Sequence, residues 1–464
     1  MSAPVIWIIF PLVVSGGLLF LLSYPKLLKI IGMAVSLLLA IIAIFQPIGN
    51  VLRLGNIVLD FRPDLVFFGR SLFLDNGDRF VLSLIYLSLF LFILLMDVRL
   101  IPAKFIPLSI AISAMLVAAL AVQPFLYAAV LVELAVLLMI LMVGEKHIDQ
   151  EKGIIRFLVY LTLAMPFILF SGWILGGTQA SPSDVIRLTG AAVTLIIGFS
   201  LWLAVFPFHS WVPQFSRVVH PHLFGFIFSQ LPIVILFIIV NYISSLVWLR
   251  SASYLSPALS TIGIIMIVTT GFWASVEKDL KRLLAYSVLL ETGFSLVMIS
   301  FKSDQGVILL YQSFVPRVLA LALLVYSLST LVSQGVELTL EGIQGVIRRY
   351  PFATAGILLA IFTIAGFPLF SSFPIRIELL RQLGKISISS VVWTIVGLTG
   401  FIIAVIKVFI YVTFPRDDEW HVNEKISQVI IICFIILLLV LFGLLPQLLQ
   451  NIISPFTNDL PVLR

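Results

Sequence analysis

Ionisable side chains inside long apolar runs are the residues of this sequence that could do chemistry. Glu133 and Glu291 both lie in such runs, where an unpartnered charge costs about 2.5–3.5 kcal/mol at the bilayer centre. Buried carboxyl and imidazole groups can pass protons, and a nearby cation can hold a carboxylate ionised. The other candidates are Arg317, Arg376, Glu378, Lys407 and His209. We expect Glu133 to lie between helices with a polar partner or water within reach, and Glu291 to point toward Arg317 or Arg376. For Glu378 and Lys407 the alternative is a side chain near a helix end that reaches the lipid headgroups.

Paired prolines interrupt two of the apolar runs. Pro207 and Pro213 flank one interruption, and Pro368 and Pro374 flank the other. A proline removes a backbone hydrogen bond, and at membrane depth the freed carbonyl must be satisfied by protein or by a wet cavity. Two broken helices in corresponding places are therefore typical of a transport site in a repeat-built membrane protein.

The spacing of these residues predicts an internal repeat. Pro207 and Pro368 are 161 positions apart, and Glu133 and Glu291 are 158 positions apart. A shift of this size maps the fifth span on the tenth and the seventh on the twelfth. Since about five spans per repeat is an odd number, the two copies would be inverted. The alternative is that the two similar offsets coincide by chance in an apolar chain.

Composition places these residues in a membrane protein. The chain has 464 residues, of which 61% are hydrophobic and 11% charged, with a mean hydropathy of +1.19. Soluble domains carry about 25% charged residues, so a soluble, secreted or disordered class is excluded. The net charge of +6 comes from Lys and Arg in short loops rather than on one basic face, which argues against nucleic acid as a partner.

The apolar runs predict an all-α polytopic fold with about 14 transmembrane helices, in two inverted five-helix repeats with helices 7 and 12 broken. We expect helices 1–3 in residues 1–104, the first repeat (helices 4–8) in 105–248, the second (helices 9–13) in 249–414, and helix 14 in 415–464. The alternation of apolar and polar residues over 49–78 predicts a surface β-hairpin. The excess of Lys and Arg in the opposite loops predicts that both termini face away from the cytoplasm.

Other kinds of site are weakly supported. His220 and His222 are two positions apart but have no neighbouring carboxylate or cysteine, so loop histidines are favoured over a metal site. The single cysteine, Cys433, excludes a disulfide framework and a cysteine-held cluster. The glycines after Gly176 lack the strand–loop–helix frame of a phosphate site. We therefore expect no metal and no cofactor in this chain.

Several motifs resemble the antiporter-like membrane subunits of respiratory complex I (NADH:quinone oxidoreductase) and of Mrp-type cation/proton antiporters. Residues 206–213 resemble the motif after their seventh span, and 279–287 resemble their second signature, at the start of the tenth span. The stretch around Glu133 resembles their fifth-span glutamate motif, and 365–368 resemble their broken twelfth span. The resemblance covers essentially the whole chain, which is identified as a divergent member of the family.

The resemblance implies a proton path along the membrane midplane, and here its lysine relay is altered. Glu133 matches the fifth-span glutamate, and Arg376 matches the twelfth-span cation. The departures are Trp202 where the seventh-span lysine is expected, Ile235 near the place of the eighth-span lysine, Glu291 for the tenth-span histidine, Gln312 for the eleventh-span histidine and Pro316-Arg317 for its lysine. Since arginine keeps its proton and tryptophan is no acid or base, the middle of the first half lacks a titrating group.

These motifs imply a proton-translocating, multi-pass subunit of an inner, plasma, thylakoid or organelle inner membrane. Its expected partners are other membrane subunits of a complex I-like or Mrp-like assembly, and protons or monovalent cations. Such a chain is at most a non-catalytic subunit of an NADH- or ferredoxin:quinone oxidoreductase-type translocase. Two alternatives remain: a structural subunit that conducts no protons, and a membrane partner in an inorganic-carbon uptake or hydrogenase-type complex.

Overall fold

The computed structural model describes residues 2–54, 57–67, 69–144, 151–176, 185–414 and 420–457. These residues form two compact units. The first unit comprises the described residues up to Leu203, with Gln230–Ala252 and the last two described residues. The second unit comprises Ala204–Ser229 and the described residues of Ser253–Pro455.

The first unit is built from helices and five short strands. Its helices are α1 (Phe10–Leu18), α2 (Pro25–Phe45), α3 (Arg79–Leu95), α4 (Phe105–Ala121), α5 (Ala128–Val143), α6 (Glu151–Gly176), α7 (Val185–Trp202), most of α9 (Pro221–Ser245) and α10 (Val247–Arg250). Its strands are β1 (Val51–Leu54), β2 (Ile57–Asp60), β3 (Asp64–Phe67), β4 (Arg70–Phe73) and β5 (Val122–Gln123).

The second unit is helical and contains both resumed helices after the chain interruptions. Its helices are α8 (Trp211–Val218), the first residues of α9, α11 (Leu255–Val276), α12 (Leu280–Ser300), α13 (Asp304–Ser333), α14 (Pro351–Ala365), α15 (Ser372–Ile386), α16 (Ile388–Thr413), α17 (Ile426–Leu444) and most of α18 (Pro446–Thr457). Helix α12 is buried along nearly its whole length, which places Glu291 inside this unit.

The apolar runs form membrane-type helices, because hydrocarbon offers no partner for backbone groups and a helix satisfies them internally. Within the described residues, ten helices are long and apolar enough to span a membrane, and four shorter apolar helices cover Val5–Leu21, Phe105–Ala121, Ile186–Trp202 and Pro351–Ala365. The chain is therefore a multi-pass, all-α membrane protein. The count of about 14 spans, the inverted repeats, the segment boundaries and the orientation of the termini stay predictions.

Two hairpins, rather than the single predicted one, occupy the strand-rich stretch between α2 and α3. Strand β1 pairs antiparallel with β2, and β3 pairs antiparallel with β4. The short β5, which follows α4, adds to the second hairpin through the pairs Ser71↔Gln123 and Leu72↔Val122. Arg70 holds the second hairpin to the start of α5, since its guanidinium lies 4.0 Å from the ring centroid of Tyr127.

Long cationic side chains donate hydrogen bonds to backbone carbonyls at helix ends in the first unit. Lys29 Nζ donates to Met96 O, just after α3, at 2.7 Å. Arg79 donates to Ala43 O at 3.1 Å and to Ile44 O at 2.6 Å, at the end of α2. The last carbonyls of a helix have no intrahelical donor, so these contacts stabilise both ends and fix α2 against α3.

Candidate functional site

Glu133 lies half-buried on α5 and has a polar partner on α6. Thr162 Oγ1 donates to Glu133 Oε1 at 2.7 Å. The other carboxylate oxygen, Oε2, is buried and accepts no hydrogen bond from the described residues. The predicted polar partner is therefore present, and one oxygen remains open to a water or a proton.

A polar cluster that we did not predict lies near the expected place of the eighth-span lysine. Gln230 on α9 is 1% exposed and accepts from Ser113 Oγ at 2.8 Å. Its amide donates to Ile85 O at 3.3 Å and to Ser88 Oγ at 3.4 Å. These bonds tie α9 to α3 and α4. An amide neither gains nor loses a proton near neutral pH, so this buried polar group holds helices together without titrating.

The first chain interruption separates α7 from α8. Helix α7 ends at Trp202, which is 3% exposed, and the helical path resumes in a 3-10 turn at Phe208–Ser210. Ala204 has a φ of +50°, a left-handed conformation that is strained for a residue with a Cβ. Pro213 is the third residue of α8, where its missing N–H costs no intrahelical bond.

The second chain interruption, between α14 and α15, has the same plan. Gly366 ends α14 with a φ of +74°, and Leu369 has a φ of +77°. Pro374 is the third residue of α15, as Pro213 is of α8. The breaks themselves therefore lie at 203–207 and 366–371, and the second proline of each pair lies in the first turn of the resumed helix.

Glu291 and Arg376 form a buried ion pair across α12 and α15. Arg376 Nη2 donates to Glu291 Oε1, and both residues are at most 5% exposed. The Arg376 guanidinium also lies 3.5 Å from the ring centroid of Phe294, one turn along α12. The sequence predicts that Glu291 meets Arg317 or Arg376, and in the structure its partner is Arg376.

Arg317 on α13 is a second buried guanidinium beside this pair. It is 3% exposed and donates to Ser295 Oγ at 3.5 Å. Ser295 is four residues after Glu291 and therefore lies on the same face of α12. Arg317 Nε and Nη2 have no hydrogen-bond partner among the described residues. The cluster of Glu291, Arg317 and Arg376 thus contains one carboxylate and two guanidiniums.

Gly366 leaves space for the Arg376 side chain beside the second chain interruption. A Cβ on Gly366 would lie 2.8 Å from Arg376 Cγ. Any larger residue would therefore meet both an unfavourable φ and the stem of the arginine.

A Gly366→Ala variant is expected to lose more stability than a Gly335→Ala variant. Both glycines have a φ near +75°, so each alanine costs about 1–2 kcal/mol from backbone strain. Nothing lies within 4 Å of a Cβ on Gly335, whereas the clash with Arg376 adds about 1–3 kcal/mol. Thermal unfolding of the purified protein checks the difference, and equal melting temperatures would contradict it.

The remaining predicted site residues make separate contacts. Lys407 Nζ donates to Ser275 O at 2.9 Å, so it caps the end of α11. Glu378 is paired with Arg381 on the same helix, at 2.7 Å. The half-buried His209 ring stacks on Phe206 with ring centroids 5.6 Å apart. A role of Lys407 and His209 in a proton path stays a prediction.

His220 and His222 are hydrogen-bonded to each other. The backbone N–H of His222 donates to His220 Nδ1 at 3.2 Å. Burial, together with the charge of Lys281, lowers the pKa of His220 to about 4, so the ring is neutral at pH 7. Among the described residues, no group of three or more His, Cys, Asp or Glu side chains could hold a metal ion.

Comparisons with known proteins agree with the fold and the motifs. The family profile described as "NADH:quinone oxidoreductase/Mrp antiporter, TM" matches residues 174–404, about half of the chain. The chain belongs to this family of antiporter-like membrane subunits. The matched region contains both chain interruptions and the cluster of Glu291, Arg317 and Arg376.

Curated relatives of this antiporter-like subunit are distant. NADH-quinone oxidoreductase subunit N 2 of Syntrophobacter fumaroxidans is 25% identical over 239 residues, which are 48% of this chain and 49% of that protein. Subunit N 2 of Hydrogenobaculum sp. is 24% identical over 345 residues, 69% of this chain and 72% of that protein. The chain thus spans about half the length of the first of these relatives and more of the second.

Solved structures match over nearly the whole antiporter-like subunit. A chain of the archaeal membrane-bound sulfane sulfur reductase has a TM-score of 0.85 at 14% identity, covering 99% of this chain and 98% of its own length. A chain of the Mrp complex from Dietzia sp. has a TM-score of 0.84 at 14% identity, with 99% and 97% covered. A chain of respiratory complex I from Thermus thermophilus has a TM-score of 0.75 at 17% identity, with 95% and 98% covered. At these identities the likeness shows the fold.

Proposed function

We propose that this subunit translocates protons within a complex I-like or Mrp-like assembly, and that its carboxyl groups titrate while its arginines stay charged. The observation that carries the proposal is the buried Glu291–Arg376 pair with Arg317 beside it. In the family pattern a buried lysine is the group that gains and loses a proton. Here the cations are guanidiniums, which keep their protons, so we assign the mobile proton to the carboxyl.

In the proposed arrangement the carboxyl, rather than the cation, gains and loses the proton. Protonation of Glu291 would weaken its attraction to Arg376, and loss of the proton would restore the ion pair. Arg317 on α13, which donates to Ser295 one helical turn along α12 from Glu291, adds a second positive charge beside the carboxyl. A proton that binds Glu291 therefore raises the net positive charge of the cluster, and this change of charge can be coupled to proton transfer at a neighbouring site.

The first unit supplies its own titrating group. Glu133 has one oxygen bound by Thr162 and one without a partner among the described residues. That arrangement supports a carboxyl that can accept a proton on its open oxygen. The proposed partners are other membrane subunits, because the matched structures are chains of multi-subunit respiratory and Mrp complexes.

One observation favours a structural subunit that conducts no protons. Near the expected place of a relay lysine, Gln230 is fully hydrogen-bonded to α3 and α4, and Trp202 replaces the other lysine. Neither side chain carries a proton. On this alternative, the first unit would serve packing alone, and Glu133 would be dispensable for transport.

Replacing Glu133 distinguishes the two functions. A Glu133→Gln variant keeps an oxygen that accepts from Thr162, so folding and assembly should be normal, but it cannot take a proton. We expect proton translocation by the native assembly in vesicles to fall by about tenfold or more. The matched control is Glu378→Gln, which removes a half-buried carboxylate that is paired with Arg381 outside the cluster of Glu291, Arg317 and Arg376, and it should leave transport unchanged. Wild-type transport by the Glu133→Gln assembly would favour the structural subunit.

A further inference from the structure

Helices α11 and α16 meet backbone to backbone at glycines in the second unit. A Cβ on Gly271 would collide with Gly397 O, and a Cβ on Gly400 would lie 2.7 Å from the Gly271 carbonyl carbon. Small residues allow this close approach between membrane helices. Gly397 lies against Ile267, and the later Gly400 lies against the later Gly271. The two helices therefore run in the same direction, and their amino ends lie at the same end of the pair.

Towards those amino ends the two helices leave a groove, which we call the α11/α16 groove. It has a volume of about 410 Å³, within the range of about 300–1,000 Å³ that small-molecule sites occupy. Its wall on α11 runs from Thr261 to Thr269, and its wall on α16 runs from Ser390 to Trp393. The groove ends where the backbones of Val268 and Gly397 come into contact, since a Cβ on Gly397 would lie 2.8 Å from Val268 Cα.

The lining of the α11/α16 groove is apolar. Ile264, Ile265, Val268 and Trp393 contribute hydrocarbon and an indole ring. The hydroxyl of Thr269 donates to Ile265 O at 2.7 Å, so it is satisfied within its own helix. Trp393 is 54% exposed and Ile265 is 36% exposed. On helices of the membrane-spanning type, such surfaces face hydrocarbon.

The mouth of the groove is positive. Lys385, three residues before α16 begins, is exposed, and its ammonium donates to Gln382 Oε1 at 3.3 Å. It also interacts electrostatically with the Glu378 carboxylate, so Lys385, Arg381 and Glu378 together carry a net charge of +1. The neighbouring Gly384 would place a Cβ 3.7 Å from Val391 Cγ2, so the end of α15 lies against the first turn of α16. Arg381 is neutralised by two hydrogen bonds with Glu378. The amino ends of α11 and α16 add their partial positive charges to that of Lys385.

We propose that the α11/α16 groove holds one acyl chain of an anionic phospholipid, with the phosphate at Lys385. The groove runs for about seven residues of α16, or about 10 Å at 1.5 Å per residue, and closes to backbone contact at its far end. A helix is about 10–12 Å across and cannot follow a groove that narrows to contact. A hydrocarbon chain can follow it, and the basic mouth selects a negative headgroup.

Photolabelling of the native assembly in lipid nanodiscs tests the proposal. The probe is phosphatidylglycerol with a diazirine in one acyl chain, and adducts are mapped by peptide mass spectrometry. We expect adducts on α11 and α16 beside Ile265 and Trp393. Phosphatidylcholine with the same labelled chain should give about fivefold fewer adducts, and Lys385→Gln should lower phosphatidylglycerol labelling by a similar factor.

An Ile265→Trp variant fills the groove and should remove most of these adducts. Its matched control is Ile403→Trp, an exposed position of α16 outside the groove, which should label like the wild type. Equal melting temperatures of the two variants would show that both are folded. Labelling that survives Ile265→Trp overturns the proposal, as does equal labelling by the two lipids. A cross-link from Trp393 to a helix of another subunit, without lipid adducts, overturns it as well.

Discussion

A Glu291→Gln variant is expected to lose about 3–5 kcal/mol of folding free energy, because it leaves two guanidiniums buried without a countercharge. The amide oxygen can still accept from Arg376, so the loss comes from charge and not from shape. Glu291, Arg317 and Arg376 are all at most 5% exposed, and solvent screens them little. Denaturant or thermal unfolding of the purified subunit in detergent measures the effect.

Two further variants control for this interpretation. Glu291→Gln combined with Arg376→Met removes the carboxylate and its partner together, leaves Arg317 as the remaining charge, and should recover most of the stability. Arg317→Met in the wild-type background leaves a neutral pair and should cost little. If Arg317→Met proved as damaging as Glu291→Gln, the surplus positive charge of the cluster would not be the determining factor.

The sequence predicted the chemistry of the second unit better than its geometry. The free-energy cost of a charge in hydrocarbon predicts that Glu291, Arg317 and Arg376 need partners, and the structure brings these three side chains together. Spacing along the chain could not choose between the two arginines. The choice depends on Gly366, whose missing Cβ lets the Arg376 stem pass the break, and a close approach of this kind is a tertiary property.

Two residues show where the sequence argument was limited. Gln230 is not predicted because it is not ionisable, although an uncharged amide buried in the middle of an apolar run needs hydrogen-bond partners as a charge does. The sequence predicts Lys407 as a residue of the proton path or as one that reaches the headgroups, whereas its ammonium binds a carbonyl at the end of α11, 132 positions earlier in the chain. Such a contact follows from helix packing and leaves no local pattern.

The chain interruptions were predicted from proline, and the structure refines their position. Pro207 and Pro368 lie within non-helical segments, while Pro213 and Pro374 lie in the first turns of the resumed helices. The order of residues therefore indicated where each helix stops, but the second proline of each pair is tolerated by the helix rather than breaking it. The left-handed residues Ala204 and Leu369 were not predicted.

The second large effect concerns transport, in the variant that combines Glu291→Gln with Arg376→Met. This pair of changes keeps the net charge of the cluster, so assembly should be close to normal. It removes the only carboxyl among the buried residues that the structure describes in the second unit. We therefore expect proton translocation to fall by about tenfold or more, because a positioned proton carrier contributes at least that factor.

Proton translocation by this double variant tests most directly whether a carboxyl of this subunit carries the proton. It is measured beside the wild type, in vesicles that contain equal amounts of the native assembly. The account predicts transport at about one-tenth of the wild-type rate or less, with unchanged subunit composition. Transport at the wild-type rate by the normally assembled double variant would contradict it.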